Sequence, residues 1–305
     1  MTPNRMPDES GQQGVGSFPA VILPDPGRIF RDRSQRFAAL AKGHPLAEWL
    51  SFLGRLTRAQ HELLQHYPTL PLPDETVMAL AWENRTPPLA DPSWRRDPAW
   101  QQALFALACD LLPHAPPVVR DTLERLQRLD GPALEALADR VLRAELAGPD
   151  ADLLPFVGAA LQVHWTALAA RLDPMKIALP GAAPGVCPCC DFLPVAGLVR
   201  RGGEVAGLRY LHCALCNTEW HLVRVTCAAC RDSNRIAYRY VEGSDGVVRA
   251  ETCDACRSYL KMVYREKSPQ ADPVADDLST LALDLMMADA GYSRMGPNLL
   301  FVPGG

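Results

Sequence analysis

Four Cys-x-x-Cys pairs stand in register: Cys187/Cys190, Cys213/Cys216, Cys227/Cys230 and Cys253/Cys256. Each cysteine of the first two pairs lies 40 residues before its counterpart in the last two. An offset kept by eight residues marks an internal repeat. Two residues between cysteines let one tight turn present both sulfurs to a single ion at about 2.3 Å, and a second such turn completes a tetrahedron. A unit of about 40 residues can scarcely bury enough apolar surface to fold alone. Metal ligation, with apparent free energies of roughly 10–16 kcal/mol in structural zinc peptides, supplies what the core lacks. The spacing therefore predicts two four-cysteine sites, one on Cys187, Cys190, Cys213 and Cys216 and one on Cys227, Cys230, Cys253 and Cys256. A cross-braced assignment, first pair with third, satisfies the count as well; the near-complete module within each repeat favours the sequential one.

Ten cysteines in 305 residues, about 3%, are too few for a secreted disulfide scaffold. The N-terminal stretch 1–16 is polar, rich in Pro, Gly and Gln, and lacks a secretory signal. It reads as a disordered tail, taken to run to residue 24. No apolar stretch approaches the ~18–20 residues of a membrane span. A cytoplasmic protein is expected, where clustered cysteines hold metal or do redox chemistry. A net charge of −4 gives no global field toward nucleic acid or an anionic membrane.

The remaining chemistry-bearing residues have plainer readings. Cys189 is a spare thiol, because only Cys187/Cys190 matches the other spacings. Cys109 ends an apolar run and reads as a small core residue. His212 and His221 adjoin a knuckle but are not needed for four-coordination, so they read as supporting or packing groups. His61 and His66 are five apart and diverge around a helix, where a zinc-protease pair four apart converges. His164 and Trp165 lie in an apolar run and read as core.

Fold class follows from where periodicity changes: multidomain α+β, an N-terminal all-α helical bundle, then two tandem rubredoxin-like or zinc-ribbon-like four-cysteine units, then a C-terminal helix. Helical spacing fills 25–180, with about six helices. Asp25-Pro26 reads as a cap and first position, and Gly43 as the stop. From Pro45, Leu46, Trp49, Leu50, Leu53 and Leu56 share a face. Asp97-Pro98 precedes Trp100, Leu104, Leu107 and Leu111. Further helices are expected from Val118 to Leu129, closed by Gly131, from Pro132 to Ala147, and from Leu153 to Leu172.

Pro180 to Gly185 reads as a linker, after which 181–226 and 227–268 form the two metal units. Each reads as knuckle, hairpin, knuckle, strand. Strand-like runs Leu193 to Arg200 and Asn234 to Val241 lead to turns at Gly202-Gly203 and Gly243 to Gly246. Arg209 then aligns with Arg249, and Trp220 to Val223 with Leu260 to Val263. In 269–305, Asp276 to Gly291 reads as one helix with Leu278, Leu281, Leu285 and Met286 on one face. Four thiolates suit zinc or a mononuclear iron. A closed site leaves no open position for hydrolytic chemistry.

With these residues in hand, the chain resembles the FdhE family of formate dehydrogenase accessory proteins. The resemblance rests on Cys187-Pro188-Cys189-Cys190, on the run Gly207 to His221 (GLRYLHCALCNTEWH), and on Glu251 to Lys261 (ETCDACRSYLK). Leu153 to Val163 and Asp276 to Leu285 agree. Asp191 departs from the glycine that usually follows the opening knuckle. The resemblance implies an accessory protein rather than an enzyme, with two rubredoxin-like units holding iron at the eight cysteines named above, and zinc as the alternative metal. It also implies a partner, the catalytic subunit of respiratory formate dehydrogenase, met in the cytoplasm before twin-arginine export.

Two other classes compete. A rubredoxin-like redox sensor or electron-transfer protein would use the same thiolates. A nucleic-acid-binding zinc ribbon needs a dense basic surface. Between Cys187 and Lys267, 12 basic and 9 acidic residues become a net −1 once two divalent ions on eight thiolates are counted, so no nucleic-acid partner is expected.

Overall fold

The computed structural model describes residues 18–90, 95–179, 185–200 and 207–301. Among the described residues, seven α-helices form the front half: α1 (Ile29–Leu40), α2 (Ala47–Gln65), α3 (Glu75–Asn84), α4 (Ala99–Leu111), α5 (Pro117–Gln127), α6 (Gly131–Leu142) and α7 (Leu154–Ala169). The apolar stripes foreseen on α2 and α4 are largely the buried ones, although Leu46 stands just outside α2 and is exposed. Several helix ends differ from the proline and glycine signals. Asp25 shapes a turn four residues before α1, its carbonyl accepting from the Arg28 and Ile29 amides. Gly131 opens α6 rather than closing α5, since the Asp130 carboxylate accepts the Ala133 N–H at 2.9 Å. That helix stops at Leu142, and Ala144 is left-handed at φ 56°. The unforeseen α3 is capped by Asp74, which accepts from the Val77 amide at 3.0 Å. Cys109, expected in the core, is exposed on α4, with the Gln127 amide 3.3 Å from its sulfur.

Helix α7 is buried around almost its whole circumference, as suits a helix apolar on every side. It packs against α2, α4 and α6. At Gly158 a Cβ would stand 2.8 Å from the Leu299 carbonyl, so the bare backbone lets the C-terminal segment lie on the helix. His164 on α7 meets Tyr67 Oη at 3.0 Å through Nδ1. Burial, first of all, pulls its pKa down to about 4. Between about pH 6.5 and pH 4 the unfolded chain therefore takes up a proton that the folded chain refuses. Stability falls as pH drops through that window, by about 3 kcal/mol at full extent. In urea melts at pH 7 and pH 4.5, His164→Gln is expected to remove most of that difference; an unchanged slope would show that other groups carry it.

The strands are β1 (Val21–Ile22), β2 (Pro194–Val199), β3 (Arg209–Cys213), β4 (Glu219–His221), β5 (Ile236–Arg239), β6 (Val248–Cys253), β7 (Ser258–Tyr264) and β8 (Ser293–Arg294). The repeat is visible as two antiparallel triplets, β2-β3-β4 and β5-β6-β7. They belong to one sheet, ordered β1-β4-β3-β2-β7-β6-β5 with β8 on β7. The join is parallel: Gly197, Leu198 and Val199 face Met262, Val263 and Tyr264. Both joining strands are buried along almost their whole length, as parallel strands require. β1 lies within the stretch expected to be tail, 1–24: Val21 pairs with Trp220 and is buried against the core. Residues 1–17, linker residues 180–184 and the Gly202-Gly203 turn lie outside the described residues.

The single C-terminal helix expected over 276–291 is two, α8 (Ala275–Leu278) and α9 (Leu281–Asp289). Lys261 of β7, fully buried, donates to the carbonyls of Asp277 (2.8 Å) and Thr280 (3.0 Å), taking acceptors a continuous helix would use. The break turns Leu278, Leu283 and Met287 inward and leaves Leu285 69% exposed. Among the described residues, no helix is long and apolar enough to cross a membrane.

Candidate metal centre

Each cluster is assembled by two knuckles closing on the same point. In all four, the residue after the second cysteine is left-handed: Asp191 (φ 65°), Asn217 (60°), Arg231 (67°) and Arg257 (59°). None is glycine, although that region favours it. The turn bond that accompanies it repeats, from the amides of Asp191, Arg231 and Arg257 to the carbonyls of Cys187, Cys227 and Cys253 at 2.8–2.9 Å. Asp191, the departure from the family pattern, thus adopts the same geometry as its three counterparts.

The sulfurs of Cys187, Cys190, Cys213 and Cys216 lie within 4.8 Å of one another, and so do those of Cys227, Cys230, Cys253 and Cys256. The sequential grouping is the one the fold assembles. Cys187 and Cys216 sulfurs are 3.5 Å apart, as are those of Cys190 and Cys213. The corresponding separations in the second cluster are 3.7 and 3.6 Å. A tetrahedron with 2.3 Å bonds has edges of about 3.8 Å. All eight cysteines are free thiols rather than disulfides. Amides point at the sulfurs as well: those of Cys189, Cys216 and Cys230 lie 3.4 Å from the sulfurs of Cys187, Cys213 and Cys227. Both donor sets fit a four-coordinate ion, with zinc and iron equally accommodated.

The two clusters differ in their surroundings. All four cysteines of the first are buried. Burial pushes the Cys187, Cys190 and Cys213 thiols well above their usual range, so an ion entering there displaces protons. In the second, Cys230 and Cys256 are exposed. Burial of Cys256 is outweighed by hydrogen bonding, chiefly to Ser258, which brings its thiol down to about 7.

The helical half covers the first cluster through bonds that local patterns do not announce. Gln162 of α7 donates to the Ala214 carbonyl at 2.7 Å and itself accepts from Gln60 at 3.1 Å. The Leu89 amide donates to the Cys189 carbonyl at 2.8 Å. Asn217 is a hub: its amide donates to Thr166 Oγ1 at 2.8 Å and its carbonyl accepts from Arg33 at 2.8 Å. Arg33, with no exposed surface, also pairs with Asp272 at 3.0 Å. Cys189 is buried, and its sulfur belongs to neither cluster.

Neither histidine beside the knuckle joins a cluster. His212 lies 3.1 Å from the Asn217 carbonyl, and His221 packs against Phe18 at a tilt and against Tyr210 edge to face. His66, the residue that caps the C-terminal end of α2, is exposed. Within the metal units Arg200 pairs with Glu219, Arg235 pairs with Asp232, and Arg239 donates to the Tyr292 hydroxyl.

Comparison with known proteins agrees with these features. Family models described as "FdhE, N-terminal", "FdhE, central domain" and "FdhE, C-terminal domain" match residues 18–181, 186–224 and 225–301. A protein FdhE homolog of Edwardsiella ictaluri is 40% identical over 99% of this chain and 98% of its own. One from Pseudomonas aeruginosa is 39% identical over 93% of each. The crystal structure of the FdhE protein from Pseudomonas aeruginosa superposes with a TM-score of 0.85 at 38% identity, covering 94% of this chain and all of that one.

Proposed function

The chain belongs to the FdhE family, and from that premise we propose that it is a cytoplasmic accessory factor, not an enzyme, required for active respiratory formate dehydrogenase. In this reading it binds the catalytic subunit before twin-arginine export, and its eight clustered cysteines hold two mononuclear iron ions. The helical part 25–180 and the closing segment 269–305 frame metal units at 181–226 and 227–268. The observation that carries the reading is the pair of four-sulfur clusters set in one sheet, the first bolted to the helices. Closed four-thiolate sites offer no place for substrate, which suits a binding or checking role better than catalysis.

Deleting the gene is expected to abolish formate-dependent dye reduction in membranes while the catalytic polypeptide is still made, and a tagged copy should restore activity and co-purify that polypeptide. Normal activity in the deletion strain would overturn the proposal. Exposure of Cys230 and Cys256 favours electron exchange at the second site as a further reading. Thiolate-to-iron absorption that bleaches reversibly with dithionite supports it; a colourless protein with two zinc ions per chain removes it.

A further inference from the structure

Each cluster has a hydroxyl at the same position of the repeat. The Cys216 thiol donates to Thr218 Oγ1 at 3.2 Å, and Ser258 Oγ lies 3.0 Å from Cys256 Sγ, where either atom can donate. Thr218 and Ser258 are 40 residues apart, two residues beyond the last cysteine of their units. Ser258 also opens β7, where it faces Cys253 in the register with β6, so the sheet holds its side chain against the knuckle. Thr218 is held alike, its carbonyl accepting the Cys213 amide at 2.9 Å and its surface fully buried. A metal-bound sulfur carries no proton, so in a loaded site the hydroxyl is the donor.

We propose that Thr218 and Ser258 are positioning residues that tune the fourth thiolate of each site, and through it the redox balance of a bound ion. The inference rests on the reading of both clusters as metal sites. A hydroxyl donating to a ligating sulfur withdraws charge from it. One-electron reduction of a ferric four-thiolate site by dithionite takes its charge from −1 to −2, so the bond favours the reduced form. Thr218 is sealed, whereas Ser258 is only partly covered and water can replace it. Loss of the hydroxyl should therefore matter more at the first site.

The test uses full-length protein loaded with iron, and in parallel with cobalt, whose thiolate charge-transfer bands report sulfur donation without a redox step. Thr218→Val is expected to move the bands of one site, about half the absorbance, to longer wavelength. It should also lower that site's reduction equilibrium constant about tenfold, roughly 59 mV for one electron. Ser258→Ala should do the same more weakly at the other site, and Thr218→Ser should retain the parent spectrum. Should Thr218→Val not fold, Ser258→Ala at the partly exposed position still decides the matter through its own bands. Unmoved bands and potentials in folded, fully loaded variants would overturn the inference, as would Thr218→Ser behaving like Thr218→Val. Parent protein that takes up no ion would instead overturn the metal-site reading beneath it.

Discussion

Serine in place of Cys213 is expected to leave the first site without its ion and to unfold most of the chain, whereas serine in place of Cys256 leaves a folded protein holding one ion. Ligation of a structural ion is worth roughly 10–16 kcal/mol, comparable with the 5–15 kcal/mol that stabilises a whole domain. The first cluster is where that energy reaches the rest of the molecule. Its knuckle backbone is bonded to α7 and to the Leu89 segment, and its strands lead through β2 into the parallel join with β7. Without the ion, four buried thiols must be accommodated in an apolar setting with no charge-assisted partner. The second cluster has two exposed cysteines and closes the far end of the sheet, at β5 and β6. Its loss should fray that end and spare the helices. Helical circular dichroism, melting and ions per chain distinguish the two variants; equal loss of structure in both would refute the division. The same asymmetry predicts that a thiol-competing chelator removes the ions in two phases, the second site emptying at least tenfold faster because only there can the chelator reach the sulfurs directly.

Methionine at Arg33 should be the most damaging change remote from the cysteines, costing about 3–5 kcal/mol, because removing one partner of a buried ion pair strands the other charge. Arg33 is fully buried on α1 and holds Asp272 ahead of α8 at 3.0 Å and the Asn217 carbonyl beside the first knuckle at 2.8 Å. Asp272 is itself only 6% exposed and would keep its charge without compensation from that side chain. Arg36 and Asp276 join the same two elements but reach solvent through the arginine, so Arg36→Met should cost less. Denaturant melts of the two variants check the order. The double change Arg33→Met with Asp272→Asn should recover part of the loss, since it removes the stranded charge; no recovery would place the energy in packing instead.

Much of the architecture is legible in the chain because it rests on short-range periodicity. The helical stripe of α4, the antiparallel triplets and the grouping of eight cysteines all follow from spacings of three or four, of two, and of 40 residues. Extending the 40-residue offset from cysteines to hydroxyls would have exposed Thr218 and Ser258, so that signal was present. Errors arise where a distant side chain competes with a local preference. Cys109 sits in an apolar run yet points outward because the buried stripe of α4 is carried by Trp100, Leu104, Leu107 and Leu111. The C-terminal helix breaks at Ser279 and Thr280 because an ammonium from β7 takes its carbonyls. Arg33, Asn217 and Gln162 carry no motif at all, and their importance comes from being buried with specific partners.

By itself the sequence determined that eight cysteines stand in two registered repeats, with the sequential grouping favoured over a cross-braced one, and that a helical half precedes them, since register and hydrophobic period are local properties of a chain. Only the tertiary structure decided that the two repeats form one sheet, and that equivalent sites are unequal. Helices α1 and α7 can bond to one knuckle of a pair, and whichever they cover is sealed from water while its twin keeps two sulfurs open to it.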